Sequence, residues 1–422
     1  MTTGTARRPR TLLDLSDPRL WERGVPHEEF ARLRRCDPVA WNERSDGHAG
    51  FWAVTTYEDV VTVSRDTERF SSREGVISLD DFDAEQCEVR RTLLEMDPPQ
   101  HSGMRRITAR RFTPKAVRAF EESVRATAAD LVDEAIRQGT CDAVAVVAKR
   151  LPIRTLCGIM GIPPERRDDM IRWSDAVIGS DDPEYRDPAL EAVPVARRRL
   201  LPFGHPASLE AFELGRELAA VRRRRPTADI VTALALAQVD GRDLSDREFC
   251  NYFLMLVVAG NETTRHSISH GLHALATHPE EWRRFRAGGI DAHVAADEVL
   301  RWASAVHFVR RVATRDTTLG DATIRAGEKV VMYYASANRD EAHFAEPNRF
   351  VIDRSPNNHI AFGRGGPHFC LGSHLARLQI GVLLEELARR VRRLDLAGPP
   401  DRLRSNHING IKHLPLRFEA GR

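Results

Sequence analysis

Cys370 lies in the run Phe362-Gly363-Arg364-Gly365-Gly366-Pro367-His368-Phe369-Cys370-Leu371-Gly372. Glycine has no Cβ and tolerates left-handed torsions, so the backbone around this thiol can approach something flat and bulky. Leu375, Ala376, Leu378 and Ile380, spaced among polar residues, predict a helix just after the cysteine. The thiol would then sit at a helix N-terminus, where free N–H groups and the helix dipole favour thiolate. A thiolate in a glycine-lined loop can be the axial ligand of an iron porphyrin, and such a ligand favours O–O cleavage. The plainer reading of a lone cysteine is a small buried hydrophobe. A phosphate loop does not fit, because the Lys-Ser/Thr ending is missing.

A second group lies upstream. Ser245 and Glu248 make a capping-box pattern that predicts a helix over Asp246–Thr277, closed by His278-Pro279. The helix is apolar on nearly every face from Tyr252 to Val258, which means burial in a large core. In its middle comes Ala259-Gly260-Asn261-Glu262-Thr263-Thr264. A buried carboxylate beside two threonines costs stability unless it has partners or a task. Gly260 weakens the helix, and threonine hydroxyls can bond back to carbonyls and bend it. A widened turn here can hold water and a small ligand such as dioxygen, with Glu262 and Thr263 passing protons to it. A core helix with one satisfied polar step is the alternative.

Glu298 and Arg301 form a third group, at i,i+3 on one helix face. Val299, Leu300 and Trp302 flank them, which points to a buried pair. Arg349, in Pro347-Asn348-Arg349-Phe350, offers a second guanidinium that can bridge to Glu298. Such a network would fix the chain ahead of Cys370 rather than do chemistry.

The elements that must position these residues are mostly helical. Apolar periodicity predicts further helices over Ala116–Arg137, Ala207–Arg224 and Asp291–Arg301. Strands are expected at Gly50–Thr55, Thr317–Ile324 and Lys329–Tyr334, with Gly-containing turns between. The expected fold is mainly α with small accessory β-sheets, in one domain over 1–422 with a flexible start of about 15 residues. Two stretches without periodicity, 71–99 and 181–206, are candidate lids.

Composition removes several classes of function. The 422 residues are 42% hydrophobic and 29% charged with a net charge of +2, which gives no argument for nucleic acid. Cys36, Cys87, Cys141, Cys157, Cys250 and Cys370 show no CxxC spacing, which disfavours a disulfide framework and a zinc site. The first residues are basic with no apolar run behind them, and the stretch from Phe253 to Gly260 is too short to span a bilayer. A cytoplasmic protein without a membrane anchor is expected.

In order, AGNETT (259–264), EVLR (298–301) and FGRGGPHFCLG (362–372) resemble the motifs of a bacterial cytochrome P-450, a haem-thiolate monooxygenase. The stretch from Met96 to His101 ahead of Arg105, the run Ala337-Asn338-Arg339-Asp340, and the Pro-x-Arg-Phe step extend the likeness over nearly the whole chain. The resemblance implies the cytochrome P-450 fold and a haem b (iron protoporphyrin IX), with Cys370 as the proximal iron ligand. His101, Arg105, Arg311 and His368 would hold the haem propionates, a task suited to charge-assisted bonds. Glu262 and Thr263 would deliver protons to dioxygen, and Glu298, Arg301 and Arg349 would form the family's structural triad. The cysteine loop, with Gly365-Gly366-Pro367, is one residue longer than the commonest bacterial form. That length resembles the branch acting on sterols, methyl-branched lipids and terpenoids. Ala305 stands where a proline is usual.

The resemblance also implies the partners: dioxygen, a hydrophobic small molecule, and electrons from NAD(P)H through a ferredoxin reductase and a ferredoxin. Arg105, Arg106, Arg110, Arg111 and Lys115 would partly face the haem and partly offer a positive surface to an acidic ferredoxin. A solvated helix face is the alternative for any one of them. The distal pocket would be lined by Val76, Ile77, Leu79, Leu256, Ala259, Gly260, Val306, His307, Phe308 and Ile408. Mostly apolar walls imply a hydrophobic substrate, with His307 or Asn409 available to orient a polar group. Hydroxylation of a steroid, terpenoid, branched lipid or polyketide-type scaffold is expected, by a monomeric enzyme. The alternative is a tailoring oxidase acting on an aromatic natural product by hydroxylation, O-dealkylation or coupling. A peroxygenase of the same fold is disfavoured by the intact acid–alcohol pair.

Overall fold

The computed structural model describes residues 9–186, 188 and 192–421. The helices that build the site are α1 (Gln100–Ala109), α2 (Glu121–Gln138), α3 (Arg150–Met160), α4 (Arg167–Ile178), α5 (Ala207–Arg224), α6 (Asp246–Thr277), α7 (Ala292–Ala303) and α8 (Ser373–Arg390). The 32-residue α6 runs through the centre, packed on α3, α4, α5 and α7, while α8 packs on α2 and α7. Its sequence accounts for that place. The Glu248 amide donates to Ser245 Oγ and the Ser245 amide donates to the Glu248 carboxylate, so the helix starts at the expected cap. Every residue from Phe249 to Val258 is buried, as an all-round apolar helix requires. Burial then breaks: Ala259 is exposed in mid-helix and Gly260 and Thr263 half-buried, because a cavity lies against that face.

The cap carries a pH dependence. Glu248 is held down to about 2, chiefly by the hydrogen bond from Arg242, against burial and with help from Ser245. A carboxyl depressed in the folded state contributes stability above its ordinary value of 4.5, and loses it as pH falls toward about 2. Urea midpoints of the wild type should therefore fall over that window, and Glu248→Gln should flatten part of the fall. An unchanged slope would contradict this account of the cap.

A five-stranded sheet flanks the helices, formed by β1 (Val39–Asn42), β2 (Phe51–Val54), β3 (Phe70–Ser71), β4 (Phe308–Ala313) and β5 (Lys329–Tyr333) in the order β1-β2-β5-β4-β3. β5 runs parallel to β2 and antiparallel to β4. Thr317–Leu319 and Ala322–Ile324 form a separate hairpin. The helix expected over Ala116–Arg137 is two, Pro114–Arg118 and α2. The amides of Ala119 and Phe120 turn to carbonyls three residues back, which tightens and ends the first.

The first candidate lid is more ordered than its composition suggests. It contains the helix Ala84–Arg90, and buried Arg310 donates to the carbonyls of Glu74, Ser78 and Asp80. Lys329 Nζ donates to the Leu79 carbonyl at 2.9 Å. The second stretch contains the helix Val195–Arg198 and the turn Pro202–Gly204, with 187 and 189–191 outside the described residues. Of the start expected to be flexible, 1–8 lie outside the described residues, while Thr11 and Pro9 bond to Trp41 on β1 and Leu15 is fully buried. Among the described residues no helix is long and apolar enough to cross a membrane.

Candidate active site

Cys370 donates its amide to the Phe362 carbonyl at 2.9 Å, and α8 begins three residues later. Two glycines of its loop have steric reasons. Gly365 has φ +78°, and a Cβ on Gly366 would collide with the Ser64 carbonyl oxygen. The longer loop is thus accommodated against the helix Tyr57–Arg65. The thiol opens on an apolar cavity of about 280 Å³. Burial pushes the Cys370 thiol up, against the Gly372 amide and the Arg105 and Arg377 guanidiniums. A metal cation opposite the sulfur would reverse that balance.

Four basic side chains gather at one edge of the same cavity: His101 and Arg105 from α1, Arg311 from β4, and His368 from the cysteine loop. His101 is 1% exposed and among the described residues neither ring nitrogen has a partner; Arg311 is 1% exposed and its Nε has none among them. The rings of His101 and His368 lie 4.2 Å apart, and His368 Nε2 is 3.1 Å from Ser72 Oγ. Arg105 donates to the Phe369 carbonyl at 2.7 Å. Burial first, then Arg105 and Arg311, hold His101 down to about 4. The nearby acid, Asp97, is already engaged by Ser71, Ser72 and Arg73. Buried donors without acceptors are costly, so this edge is built for an anionic group supplied from outside the chain.

Across the cavity, α6 stays helical through Gly260, and the Thr263 hydroxyl donates to the Ala259 carbonyl at 2.9 Å. Gly260 has a packing reason, since a Cβ there would come 3.0 Å from the Leu156 side chain on α3. Glu262 is 1% exposed and bound on three sides: Arg265 at 2.5 Å, His266 at 3.4 Å, and Asn261 donating to Oε1 at 3.0 Å. Burial alone would raise its carboxyl, but Arg265 and His266 hold it below the usual range. Arg265 also reaches Asp175 at 2.5 Å, and Asp175 reaches Lys149 at 2.6 Å. The i,i+3 spacing of Glu262 and Arg265 announces that pair as plainly as it does Glu298 and Arg301, yet the sequence reading passed over it.

Val76, Ile77, Leu256, Ala259, Gly260, Val306 and Ile408 line this cavity as expected; Leu79, His307 and Phe308 do not. Strand alternation explains Phe308: Val309 and Arg311 face the cavity, so Phe308 and Arg310 face away. Phe308 packs instead on Tyr333, with ring centroids 5.9 Å apart. The His307 ring lies 4.0 Å from Trp21, and its amide donates to the His407 carbonyl. Leu79 joins the apolar cluster of Phe51 and Val331 beside the sheet. Asn409 is spent on the Ala303 carbonyl and its own amide on Ala305, which fixes the 305–307 segment despite the missing proline. Leu94, Ile178, Phe203 and Val309 complete the walls; three of them come from irregular or terminal segments with no periodic signal.

The expected bridge from Arg349 to Glu298 is not made. Arg349 is exposed and pairs with Glu346, while its carbonyl accepts from Arg301. Arg354 takes the place instead, its Nε 3.1 Å from Glu298. Arg301 grips the same carboxylate through Nε and Nη2 at 2.7 and 2.8 Å, and both side chains are fully buried. The turn after Pro347 points Arg349 outward and returns Arg354 to the pair, a reversal no local spacing reveals.

The family model for cytochrome P-450 matches residues 293–410. A steroid C26-monooxygenase of Mycobacterium tuberculosis is 38% identical over 96% of this chain and 92% of its own length. The chain belongs to the cytochrome P-450 family. A linalool 8-monooxygenase of Pseudomonas putida is 36% identical to this cytochrome P-450 over 95% of the chain and 97% of its own. A Mycobacterium marinum cytochrome P-450 in complex with pseudoionone superposes with a TM-score of 0.87 at 38% identity, covering 98% and 100% of the two chains. The enzyme is a cytochrome P-450 monooxygenase, and its family implies a haem. The residues present fit that group, as the partnerless nitrogens of His101 and Arg311 show at the edge of a cavity floored by a thiol.

Proposed function

We propose that this cytochrome P-450 hydroxylates a hydrophobic small molecule of the steroid, terpenoid or branched-lipid kind, using electrons from a separate ferredoxin system. The observation that carries the proposal is that Cys370 and Thr263 line one apolar cavity whose edge holds four basic side chains. Cys370 would hold the iron, and His101, Arg105, Arg311 and His368 the propionates. Bound there, the haem supplies the redox chemistry that activates dioxygen: a C–H bond, O2, two electrons and two protons become C–OH and water. The chain's own part is positioning and proton traffic. Leu256, Ala259, Val306 and Ile408 exclude water and would hold an apolar carbon on the Thr263 side of the cavity, across from the thiol. Thr263 holds a proton at Oγ1, and Glu262, once Arg265 lets go, takes a proton from water and passes it on to restore that of Thr263. Arg265 can release Glu262 without stranding its own charge, because Asp175 already binds it.

Half-buried Arg105 reaches the cysteine loop at the Phe369 carbonyl, and half-buried Arg111 and exposed Arg106, Arg110 and Lys115 continue the same basic stretch. Their sign suits an acidic ferredoxin, passing electrons from NAD(P)H through its reductase in the cytoplasm. The steroid and linalool activities of the relatives and the longer cysteine loop support the substrate class. Reconstituted with ferredoxin, reductase, NAD(P)H and 18O2, the enzyme should place one labelled oxygen atom in a steroid or terpenoid product. No labelled product from any such compound, with turnover of small aromatics instead, would overturn the proposal. In the same assay Thr263→Ala should cut product per electron by about tenfold or more while peroxide rises. An unchanged ratio would remove Thr263 from proton delivery.

A further inference from the structure

A second chamber of about 480 Å³ adjoins the apolar cavity, and Ile77, Ile178, Phe203, His407 and Ile408 line both. Its character differs. Where the inner cavity is walled mainly by apolar side chains apart from its basic edge and the polar step of α6, the outer one presents Arg44, Asp80, Arg90, Asp181 and Ser405. A molecule reaching from this chamber toward Cys370 therefore needs a polar end outside and an apolar end within.

Arg90 is the cation here that the chain leaves unanswered. It ends the helix Ala84–Arg90, and its Cζ sits 4.5 Å over the ring of Phe82. Among the described residues its guanidinium has no hydrogen-bond or ion-pair partner, and its Nε is sealed from solvent with none. It reaches close to the backbone at Gly204, where a Cβ would come 2.8 Å from Nη2. The neighbouring charges are otherwise spent. Arg44 binds Asp46 and Asp80, Lys329 binds Asp81, and Arg310 is taken by loop carbonyls. Two acids face Arg90's chamber without such a partner. Glu95 is engaged by Thr92, and burial pushes its carboxyl up; exposed Asp181 makes no ion pair with Arg90 among the described residues.

We infer that Arg90 is the head-group subsite of this enzyme, and that its preferred substrate is an amphiphilic carboxylate. The apolar body lies in the inner cavity and the carboxylate oxygens take the guanidinium's free N–H groups, the arrangement for which a planar fork is suited. Phe82 stacks on the guanidinium and keeps it aimed into the chamber. The inference rests on the monooxygenase reading of the inner cavity and narrows its substrate class.

A matched pair, a methyl-branched carboxylic acid and its methyl ester, separates the possibilities. Binding is read by the substrate-induced spin-state change and by calorimetry on the haem-loaded wild type, Arg90→Ala and Arg90→Lys. The wild type should bind the acid about 10- to 100-fold more tightly than the ester, the range expected for a charge-assisted hydrogen bond. Arg90→Ala should erase that preference while leaving ester affinity within about twofold, and Arg90→Lys should keep part of it. Equal affinity for acid and ester in the wild type, or an equal loss of both in Arg90→Ala, overturns the inference. Neutral terpenoids that shift the spin state while the acid does not would sink the head-group subsite and leave the proposed function standing.

Discussion

Alanine at position 370 yields a folded protein with almost no pigment and no product formation. The side chain of Cys370 meets only the Gly372 amide among hydrogen-bonding groups of the described residues, and the loop is held by the Cys370 amide on Phe362 and by Gly366 against Ser64. Removing one sulfur at a half-buried site should therefore cost about 1 kcal/mol or less. What disappears is the sulfur that would hold the iron. The four basic side chains at one edge would hold the carboxylates and leave the iron without its thiolate. Haem absorbance per protein after identical expression, alongside circular dichroism, checks this directly. A variant that keeps both haem and activity would break the account.

The second large effect is on stability. Arg301→Ala should destabilise the protein by about 3–5 kcal/mol, the range for breaking a buried ion pair. Glu298 would lose its two closest donors in a fully buried site, and the carbonyls of Asn338, Pro347 and Arg349 would each lose one. Arg301→Lys should be nearly as damaging, because one ammonium cannot reproduce a fork that serves a carboxylate and three carbonyls. Arg354→Ala should cost less, and Arg349→Ala should stay within about 0.5 kcal/mol, since Arg349 pairs only with exposed Glu346. Urea unfolding of the four variants orders them. Equal losses from Arg349→Ala and Arg354→Ala would restore the expected role of Arg349.

Which parts were legible in the sequence follows from how local their signals are. The cap at Ser245, the all-round apolar run that follows it and the breaker His278-Pro279 mark both ends of α6, and the observed helix matches them. The glycine loop at Cys370 and the pairing of Glu298 with Arg301 are likewise short-range patterns. Arg354 was invisible because its place beside Glu298 depends on a reversal of an irregular segment. His307 and Phe308 were misassigned because the strand's period of two was not imposed on a run that also contains Arg311. The walls from Leu94, Ile178 and Phe203 come from distant segments brought together by α6, and no spacing encodes that meeting.

One spectrum bears on the centre of the account, the bond between Cys370 and a haem iron. The purified protein, reduced with dithionite under carbon monoxide, should show the strongly red-shifted Soret band of a thiolate-ligated haem, and Cys370→Ala should lack it. A colourless preparation, or a carbon monoxide complex with the unshifted band of histidine ligation, would contradict it.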